Sequence, residues 1–356
     1  MALATDGGTR LPAEVLNILQ QTAPASPRPI PVNRSTPASK PPAPAVLTVA
    51  DLQALDVPQP EMLIEGLLPQ RGVGLAIGKA KSGKTLLAVQ SAIAVASGTA
   101  LFDFYSVLHQ GPVLIVEQDD PAGDASIKNI LQKSLVPVDG IPFFFVSKVP
   151  FYFGRDLLSW LEDQISSRGL RLVVLDSYTA LRSSRSSGCD IVKVEQTDML
   201  MLDELAKRTN CTILVIHHAS KGSVGMDWTE QAAGSFAMAA AVESQIHVSR
   251  YADLDINAPE RLVRVQGRHL RGTEFVLRFR ESSLDYEHVL EGGASSIYPL
   301  IVQIRGVFGQ RHFSPKELSQ ETGVSRATAH RHIDRLYRAS VITKSRFGEY
   351  ALTEGL

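Results

Sequence analysis

Short apolar runs alternate with longer amphipathic segments between residues 47 and 285. Near-continuous apolar runs predict strands buried on both faces, and the segments between them predict helices packed on a sheet. The predicted strands are residues 73–77, 112–117, 142–146, 171–176 and 212–216, and the predicted helices are residues 84–97, 123–134, 154–167 and 190–208. The alternation predicts an α/β fold with a mostly parallel sheet covered by helices on both faces. Two amphipathic strands, 262–266 and 275–279, predict an antiparallel extension.

The two ends of the chain differ from this α/β region in composition. Residues 1–46 are rich in proline, alanine and serine, which predicts a flexible arm. Residues 47–290 form the predicted α/β domain, and residues 291–296 form a predicted short linker. Residues 297–356 form a separate small module with nine Lys and Arg against five Asp and Glu, although the whole chain has a net charge of −1. Any basic surface is therefore local.

The cysteine count and the hydropathy exclude several classes of protein. Two cysteines, Cys189 and Cys211, are too few for a disulfide framework or a cysteine zinc site, and they suit a reducing compartment. The first residues lack the pattern of a signal peptide. The longest mostly apolar stretch, residues 86–101, is too short and too interrupted to span a bilayer. These observations predict a cytoplasmic protein with no membrane partner.

A glycine-rich loop joins the first core strand to the first core helix. It fits the G-x-x-x-x-G-K-[ST] pattern without a mismatch, and its residues are Gly78, Lys79, Ala80, Lys81, Ser82, Gly83, Lys84 and Thr85. In this setting backbone N–H groups converge on nucleotide phosphates, and the helix N-terminus adds positive potential. Lys84 is placed to reach the β- and γ-phosphates, and Thr85 is placed to bind Mg²⁺. The loop predicts a bound nucleotide together with Mg²⁺.

Carboxylates follow two of the other predicted strands. Asp176 ends the run Leu-Val-Val-Leu-Asp, the Walker B pattern, and is expected to hold Mg²⁺ through the water shell of the ion. Glu117 ends the second strand, and Asp119 lies two residues further along the chain. Because the period of a strand is two, both point the same way, and either could polarise the water that attacks the γ-phosphate. Their spacing does not decide between these two catalytic roles, and capping of the next helix is the alternative.

Two further positions are candidates for catalysis. His217 and His218 end the strand that follows Asp176, where His218 or His217 could sense the γ-phosphate through a hydrogen bond. Arg268 and Arg271 lie in the turn between the two late strands, where either could act as an arginine finger on a neighbouring subunit, with Arg268 preferred. The alternatives are structural histidines and an ordinary exposed turn.

The C-terminal module shows the pattern of a helix-turn-helix. Ser314 and Pro315 open one helix, Gly323 makes a turn, and Ser325 caps a second helix that runs to Arg338. A basic hairpin over residues 344–348 completes what resembles a winged helix-turn-helix. The expected DNA contacts are Arg326, Thr328, Arg331, Arg335, Lys344 and Arg346. Such modules also bind proteins, which is the alternative.

The order of these motifs resembles the RecA-like P-loop ATPases. Over residues 47 to 285 it is more closely similar to the RepA-type hexameric replicative helicases and their AAA_25 relatives. The resemblance implies a ring or filament of identical subunits, commonly a hexamer, with ATP between subunits and single-stranded DNA in the centre. Lys84 and Thr85 match the nucleotide-binding pair of the family, Asp176 the Walker B acid and His218 the sensor.

Two positions depart from the pattern of that family. Asp119 matches the column of the catalytic glutamate, whereas Glu117 lies two residues earlier. Residues 233–235 read Ala-Gly-Ser where relatives often carry Arg-Gly-Ser. The first departure puts the rate of hydrolysis in doubt.

The sequence as a whole predicts a Mg²⁺-dependent ATPase that acts on DNA, most simply a ring-forming replicative helicase or translocase. Residues 183–188 and 222–230, rich in serine and glycine, are the predicted central loops facing single-stranded DNA, with solvated loops as the alternative. Duplex DNA is the expected partner of the winged helix. Two other functions remain open, a nucleotide-gated DNA-binding regulator and a recombination mediator.

Overall fold

The computed structural model describes residues 46–56, 60–182, 190–218, 236–250, 258–292, 294–346 and 348–353. Both predicted central loops, Ala-Gly-Ser 233–235 and all of the predicted arm except Val46 lie outside the described residues. The chain divides into two compact units, Met1–Val57 and Pro58–Leu356. In the first unit, helix α1 (Val49–Ala54) begins with a capping box formed by Thr48 and Asp51.

In the second unit, the described strands build one large sheet and two small hairpins. The strands of the large sheet are β3 (Gly72–Gly78), β4 (Val113–Glu117), β5 (Phe143–Ser147), β6 (Leu172–Asp176), β7 (Thr212–His218), β8 (Ser244–Ser249), β9 (Glu260–Gly267), β10 (Leu270–Arg280) and β11 (Asp285–Glu291). Their order across the sheet is β11-β10-β9-β8-β3-β7-β6-β4-β5. Strands β3 to β8 pair in parallel wherever they meet, and β9, β10 and β11 extend the sheet in antiparallel pairing. Before it, β1 (Met62–Ile64) and β2 (Leu68–Pro69) form a short hairpin.

Helices cover both faces of the parallel strands, as the alternation predicts. They are α2 (Lys84–Ser97), α3 (Gly123–Lys133), α4 (Arg155–Arg168), α5 (Tyr178–Leu181), α6 (Ile191–Thr209) and α7 (Phe236–Ala241). Alternate residues of one strand enter different cores because side chains point to opposite faces. Val174 of β6 packs with α2 and α3, whereas Val173 and Leu175 pack with α4, α5 and α6. None of the helices in the described part of the chain has the length and apolarity needed to cross a membrane.

Two strands of the sheet carry too little apolar pattern to be predicted. β8 reads Ser-Gln-Ile-His-Val-Ser, yet it lies beside β3 in the middle of the sheet. β11 is rich in charged residues, and two of its acidic side chains form ion pairs with arginines of β10. Arg280 contacts Asp285 at 2.6 Å, and Arg278 contacts Glu287 at 3.4 Å.

The C-terminal module begins closer to the sheet than a flexible linker over 291–296 would place it. β11 ends at Glu291, and helix α8 (Ala294–Phe308) begins three residues later. Tyr298, Ile301 and Ile304 of α8 share one core with Leu262, Val276 and Leu290 of the sheet. α9 (Pro315–Thr322), α10 (Arg326–Arg338), β12 (Ile342–Arg346) and β13 (Glu349–Leu352) follow. Packing of α8 against β10 and β11 explains why the module and the sheet belong to one compact unit.

Candidate active site

The glycine-rich loop lies at the carboxyl end of β3 and leads into α2. Close neighbours exclude side chains at both of its glycines. A Cβ on Gly78 would lie 2.3 Å from the carbonyl oxygen of Val248, and one on Gly83 would lie 1.8 Å from the Tyr286 hydroxyl. Gly83 also has φ +98°, in the left-handed region that glycine adopts at low cost. The backbone therefore approaches its surroundings as closely as a phosphate-binding loop requires.

Strands beyond β3 hold this loop through residues that the sequence did not indicate. Arg261 of β9 donates from Nε to the carbonyl oxygen of Ser82 at 3.1 Å, and Arg250 donates to that of Lys81 at 3.1 Å. Tyr286 of β11 lies behind Gly83 and is 3% exposed. These residues are nearly 170 or more positions from the loop in the chain, so no local motif could have revealed them.

Lys84, Thr85 and Asp176 meet at the end of the loop. The Thr85 hydroxyl donates to Asp176 Oδ2 at 2.6 Å. Lys84 Nζ donates to the carbonyl oxygens of Gly78 and Lys79 at 3.0 and 2.9 Å. Burial lowers the pKa of Lys84 to about 8, although the negative charges of Asp176 and Asp119 oppose that shift. The two groups predicted to hold Mg²⁺ thus lie in direct contact.

Asp176 is a strongly perturbed acid. It is 3% exposed, and burial together with the nearby charge of Glu117 raises its pKa to about 7. The hydrogen bond from Thr85 and the charge of Lys84 act in the opposite direction but do not cancel this shift. A divalent cation would stabilise the charged form of such a carboxylate, because it offsets both the cost of burial and the repulsion from Glu117.

Glu117 and Asp119 occupy different environments although both follow β4. Glu117 pairs in register with Asp176 and is 1% exposed. Its Oε1 accepts the backbone N–H groups of Asp119 and Asp120, each at 2.8 Å, and burial raises its pKa. Asp119 is about half-exposed, and its Oδ2 lies 2.8 Å from Nε2 of His218. Glu117 therefore braces the turn after β4, whereas Asp119 faces the histidine.

The acid between these positions and the next helix has a capping role. Asp120 accepts the backbone N–H of Ala122 at 2.8 Å and the hydroxyl of Ser126 at 2.7 Å, at the start of α3. The capping alternative thus describes Asp120 but not the side chain of Asp119.

The two histidines of β7 also separate in role. His218 pairs in register with Gly78 at the start of the loop, and its side chain is 31% exposed. His217 is buried, and its ring packs against Tyr178 with centroids 5.9 Å apart. Burial, with the nearby positive charges, lowers the pKa of His217 to about 4, so this ring is neutral at pH 7. The geometry brings His218, and not His217, to Asp119.

The donor atoms of this site fit ATP with Mg²⁺. Buried polar atoms lacking a hydrogen-bond partner among the described residues include Ser82 Oγ, Ser177 Oγ and His218 Nδ1, all at the edge where β3, β6 and β7 end. A hydroxyl and a carboxylate are ligands that Mg²⁺ accepts, with phosphates and water completing its shell. Within the described ranges, no group of three or more His, Cys, Asp and Glu is placed to hold a metal alone.

Arg268 and Arg271 lie far from this edge within the same chain. Gly267, next to Arg268, pairs with Ser244 at the start of β8, whereas the phosphate loop follows the far end of the neighbouring β3. Both arginines are exposed, and Arg268 donates to the carbonyl oxygen of Ala240 at 2.7 Å. The structure therefore does not bring either arginine to the loop of its own chain.

The C-terminal module exposes the face predicted to contact DNA. Ala329, Ile333 and Leu336 are buried on one side of α10, and Arg326, Arg331, Arg335 and Lys344 are exposed. Thr328 is partly exposed, and its hydroxyl accepts from Arg331 at 3.1 Å. The side chain of Arg346 lies outside the described part of the structure. The module presents a basic surface on its helix and hairpin.

Comparison with solved structures gives remote likenesses. One solved ATPase domain shares 10% identity at a TM-score of 0.49, over 62% of this chain and 85% of that one. The RadB recombinase shares 16% sequence identity at a TM-score of 0.43, over 63% of this chain and 93% of that one. A structure of a DnaB-like replicative helicase and its interactions with primase shares 10% sequence identity at a TM-score of 0.48. The match covers 61% of this chain and 57% of that one. Likeness at this level does not extend to function.

A family model matches this sequence, whereas curated protein sequences do not. Comparison with curated protein sequences gave no match. The AAA_25 family model, described as an AAA domain, matches residues 36–224, which include the phosphate loop, Asp119, Asp176 and His218. This match covers more than half of the 356 residues. The chain therefore belongs to the AAA_25 family, as a RecA-like P-loop ATPase.

Proposed function

We propose that this ATPase is a Mg²⁺-dependent motor on DNA, a ring-forming replicative helicase or translocase of the RepA type. The observation that carries the proposal is the 2.8 Å contact between Asp119 and His218. It joins the ends of β4 and β7 at the edge where the phosphate loop lies. Residues 222–230, the second predicted central loop, follow His218 closely in the chain. A change at the γ-phosphate would thus pass through one side-chain pair toward the segment that, in this proposal, contacts DNA.

In this proposal each residue of the site has one role. Asp119 orients and polarises the attacking water, because it is the half-exposed carboxylate next to the sensor. His218 senses the γ-phosphate. Lys84 binds the β- and γ-phosphates, while Thr85 and Asp176 hold Mg²⁺. Glu117 keeps the turn after β4 in place and makes no contact with the water.

Arg268 acts in the proposal on the nucleotide of a neighbouring subunit in a hexamer. Its exposure at the edge away from its own loop suits a role in trans. Mixing inactive Arg268→Ala protein with inactive Lys84→Ala protein tests this. Some interfaces of a mixed ring then pair an intact loop with an intact arginine, so ATP hydrolysis should reappear. If the mixture stays as inactive as its components, Arg268 does not act in trans.

The C-terminal module is, in the proposal, a winged helix-turn-helix that holds duplex DNA and loads the ring. Arg326, Thr328 and Arg331 enter a groove, and Arg335, Lys344 and Arg346 contact phosphates. The exposed basic face of α10 supports this reading. The hydrophobic core that α8 shares with the sheet would transmit force between the duplex and the ATPase domain.

ATP-dependent strand displacement from a forked duplex tests the motor directly. We expect displacement by the unaltered protein and none by Lys84→Ala. Lys79→Ala is the matched control, because Lys79 is an exposed lysine of the same loop at a position that the motif leaves free. It should displace the strand normally. If the unaltered protein displaces no strand, the proposal of helicase activity is wrong.

One observation favours a second function, a nucleotide-gated DNA-binding regulator. The basic face of α10 is joined to the ATPase sheet through α8, so nucleotide binding could set the orientation of that face without movement along DNA. Tight, sequence-specific binding of duplex DNA that depends on ATP but causes no unwinding would favour the regulator. Filaments on single strands without unwinding would favour a recombination mediator instead.

A further inference from the structure

The segment between β5 and α4, residues 148–154, presents an aromatic ring to solvent. Tyr152 is 65% exposed, whereas Phe151 and Phe153 beside it are partly buried. The ring of Phe151 packs against Trp160 with centroids 6.0 Å apart. The ring of Phe153 packs edge-on against Tyr178 at 5.8 Å. The two neighbours of Tyr152 therefore anchor the segment in the core and leave Tyr152 outside.

Hydrogen bonds fix the backbone on both sides of Tyr152. Before it, the Lys148 N–H donates to the carbonyl oxygen of Glu117 at 3.0 Å, and Gln118 Nε2 donates to that of Val149 at 3.2 Å. After it, the Phe153 N–H donates to the carbonyl oxygen of Leu181 at 2.7 Å. A ring on a backbone held in this way loses little conformational freedom when a ligand covers it.

The position of the segment places the ring among the elements of the proposed motor. β5, β6 and β7 are parallel, so residues after β5 lie at the same sheet edge as Asp119 and His218. Leu181, which accepts the hydrogen bond from Phe153, is two residues before the first predicted central loop. Phe153 thus connects the segment to the end of α5, and Tyr152 is its neighbour in the chain.

We propose that Tyr152 is a stacking platform for a base of single-stranded nucleic acid. The inference rests on the proposed function, since it adds a contact to the same DNA path. Every base has a π-face, so an exposed aromatic side chain binds single strands without reading their sequence. The exposed charges nearby, Lys148, Arg155 and Asp156, sum to only +1. Tyr152 therefore contributes by stacking and not by attracting phosphates.

Contrast with another exposed aromatic residue supports this assignment. Phe104 is 50% exposed, but its ring lies flat on His288 with centroids 4.0 Å apart and planes at 8°. A face of that ring is already covered by its own chain. Phe104 also lies away from the edge that carries Asp119. Exposure alone therefore does not mark a stacking site, whereas the fixed backbone and the location of Tyr152 do.

Fluorescence anisotropy with a labelled oligothymidylate tests the platform. We expect Tyr152→Ala to bind about tenfold more weakly and Tyr152→Phe to bind normally, since stacking needs the ring and not the hydroxyl. The loss should leave the slope of log affinity against log salt unchanged, because no phosphate contact is removed. With an abasic oligomer of the same length, Tyr152→Ala should bind like the unaltered protein.

Leu135→Ala is the matched control, because Leu135 is 66% exposed and lies after α3, outside the segment. It should bind the oligothymidylate normally. If the unaltered protein and Tyr152→Ala bind the oligothymidylate equally well, the stacking role of Tyr152 is wrong, but the proposed motor function is not contradicted. If the unaltered protein binds no single strand, the motor and the platform fail together. If Tyr152→Ala instead changes the subunit number in sedimentation, Tyr152 is a subunit contact and the platform is wrong.

Discussion

Replacing Asp176 by asparagine should stabilise the nucleotide-free protein at neutral and alkaline pH while abolishing hydrolysis. The buried carboxylate lies beside Glu117, and both burial and that neighbour disfavour its charge. Asparagine keeps an oxygen that can accept the 2.6 Å hydrogen bond from Thr85, but it carries no charge. The site would thus lose the group that suits Mg²⁺ and gain stability in its absence.

The size of the effect follows from the shifted pKa. The pKa of Asp176 is about 7 in the folded protein against an ordinary value of 3.8. Between these values the folded state keeps a proton that the unfolded state has released. Stability of the unaltered protein therefore falls by about 1.4 kcal/mol per pH unit as pH rises through this window, and becomes flat above it. The asparagine variant lacks this loss, so its advantage grows to about 4 kcal/mol.

Urea unfolding in EDTA at a series of pH values measures this difference. The free-energy advantage of Asp176→Asn should be smallest near pH 4, rise up to pH 7 and then stay constant. Asp139→Asn, at an exposed aspartate, is the control and should show no such growth. An advantage independent of pH, or an unaltered protein that is the more stable at pH 8, would refute the reasoning.

Three other predictions concern the turn after β4, the loop and the C-terminal module. Asp119→Asn should lower kcat about a hundredfold or more, and adding His218→Ala should cost little further because the pair acts as a unit; losses that multiply would contradict this. Gly83→Ala should destabilise the fold by about 1–3 kcal/mol in thermal unfolding, since its Cβ would meet the Tyr286 hydroxyl at 1.8 Å, and Tyr286→Phe should relieve part of the loss. If the second change brings no relief, the close approach is not the cause. Arg335→Ala should weaken duplex DNA binding and reduce the log–log salt slope by about 1, and an unchanged slope would exclude a phosphate contact.

The elements with strong apolar periodicity were predictable from the sequence. The first core helix occupies residues 84–97 as predicted, and the strand before it differs from prediction by one residue at each end. Strands buried on both faces need continuous apolar residues, and the phosphate loop needs glycines at fixed positions. The pattern therefore predicted the α/β fold and the position of the glycine-rich loop between its first core strand and first core helix.

The parts that escaped prediction depend on contacts between distant residues. β8 is polar along much of its length, and only its place beside β3 makes it a strand. Arg261 and Tyr286 support the loop from strands that lie far along the chain. The different surroundings of Glu117 and Asp119 also needed coordinates, since the strand period predicts one face for both, whereas only Asp119 contacts His218.

ATP hydrolysis with and without single-stranded DNA tests the central claim most directly. The account predicts strong stimulation by single strands, lost in Lys84→Ala and in His218→Ala but kept in Lys79→Ala. That pattern requires a working phosphate loop and a path from the nucleotide through His218 to DNA. Weak hydrolysis indifferent to single strands would contradict the motor and leave the nucleotide-gated regulator as the better account.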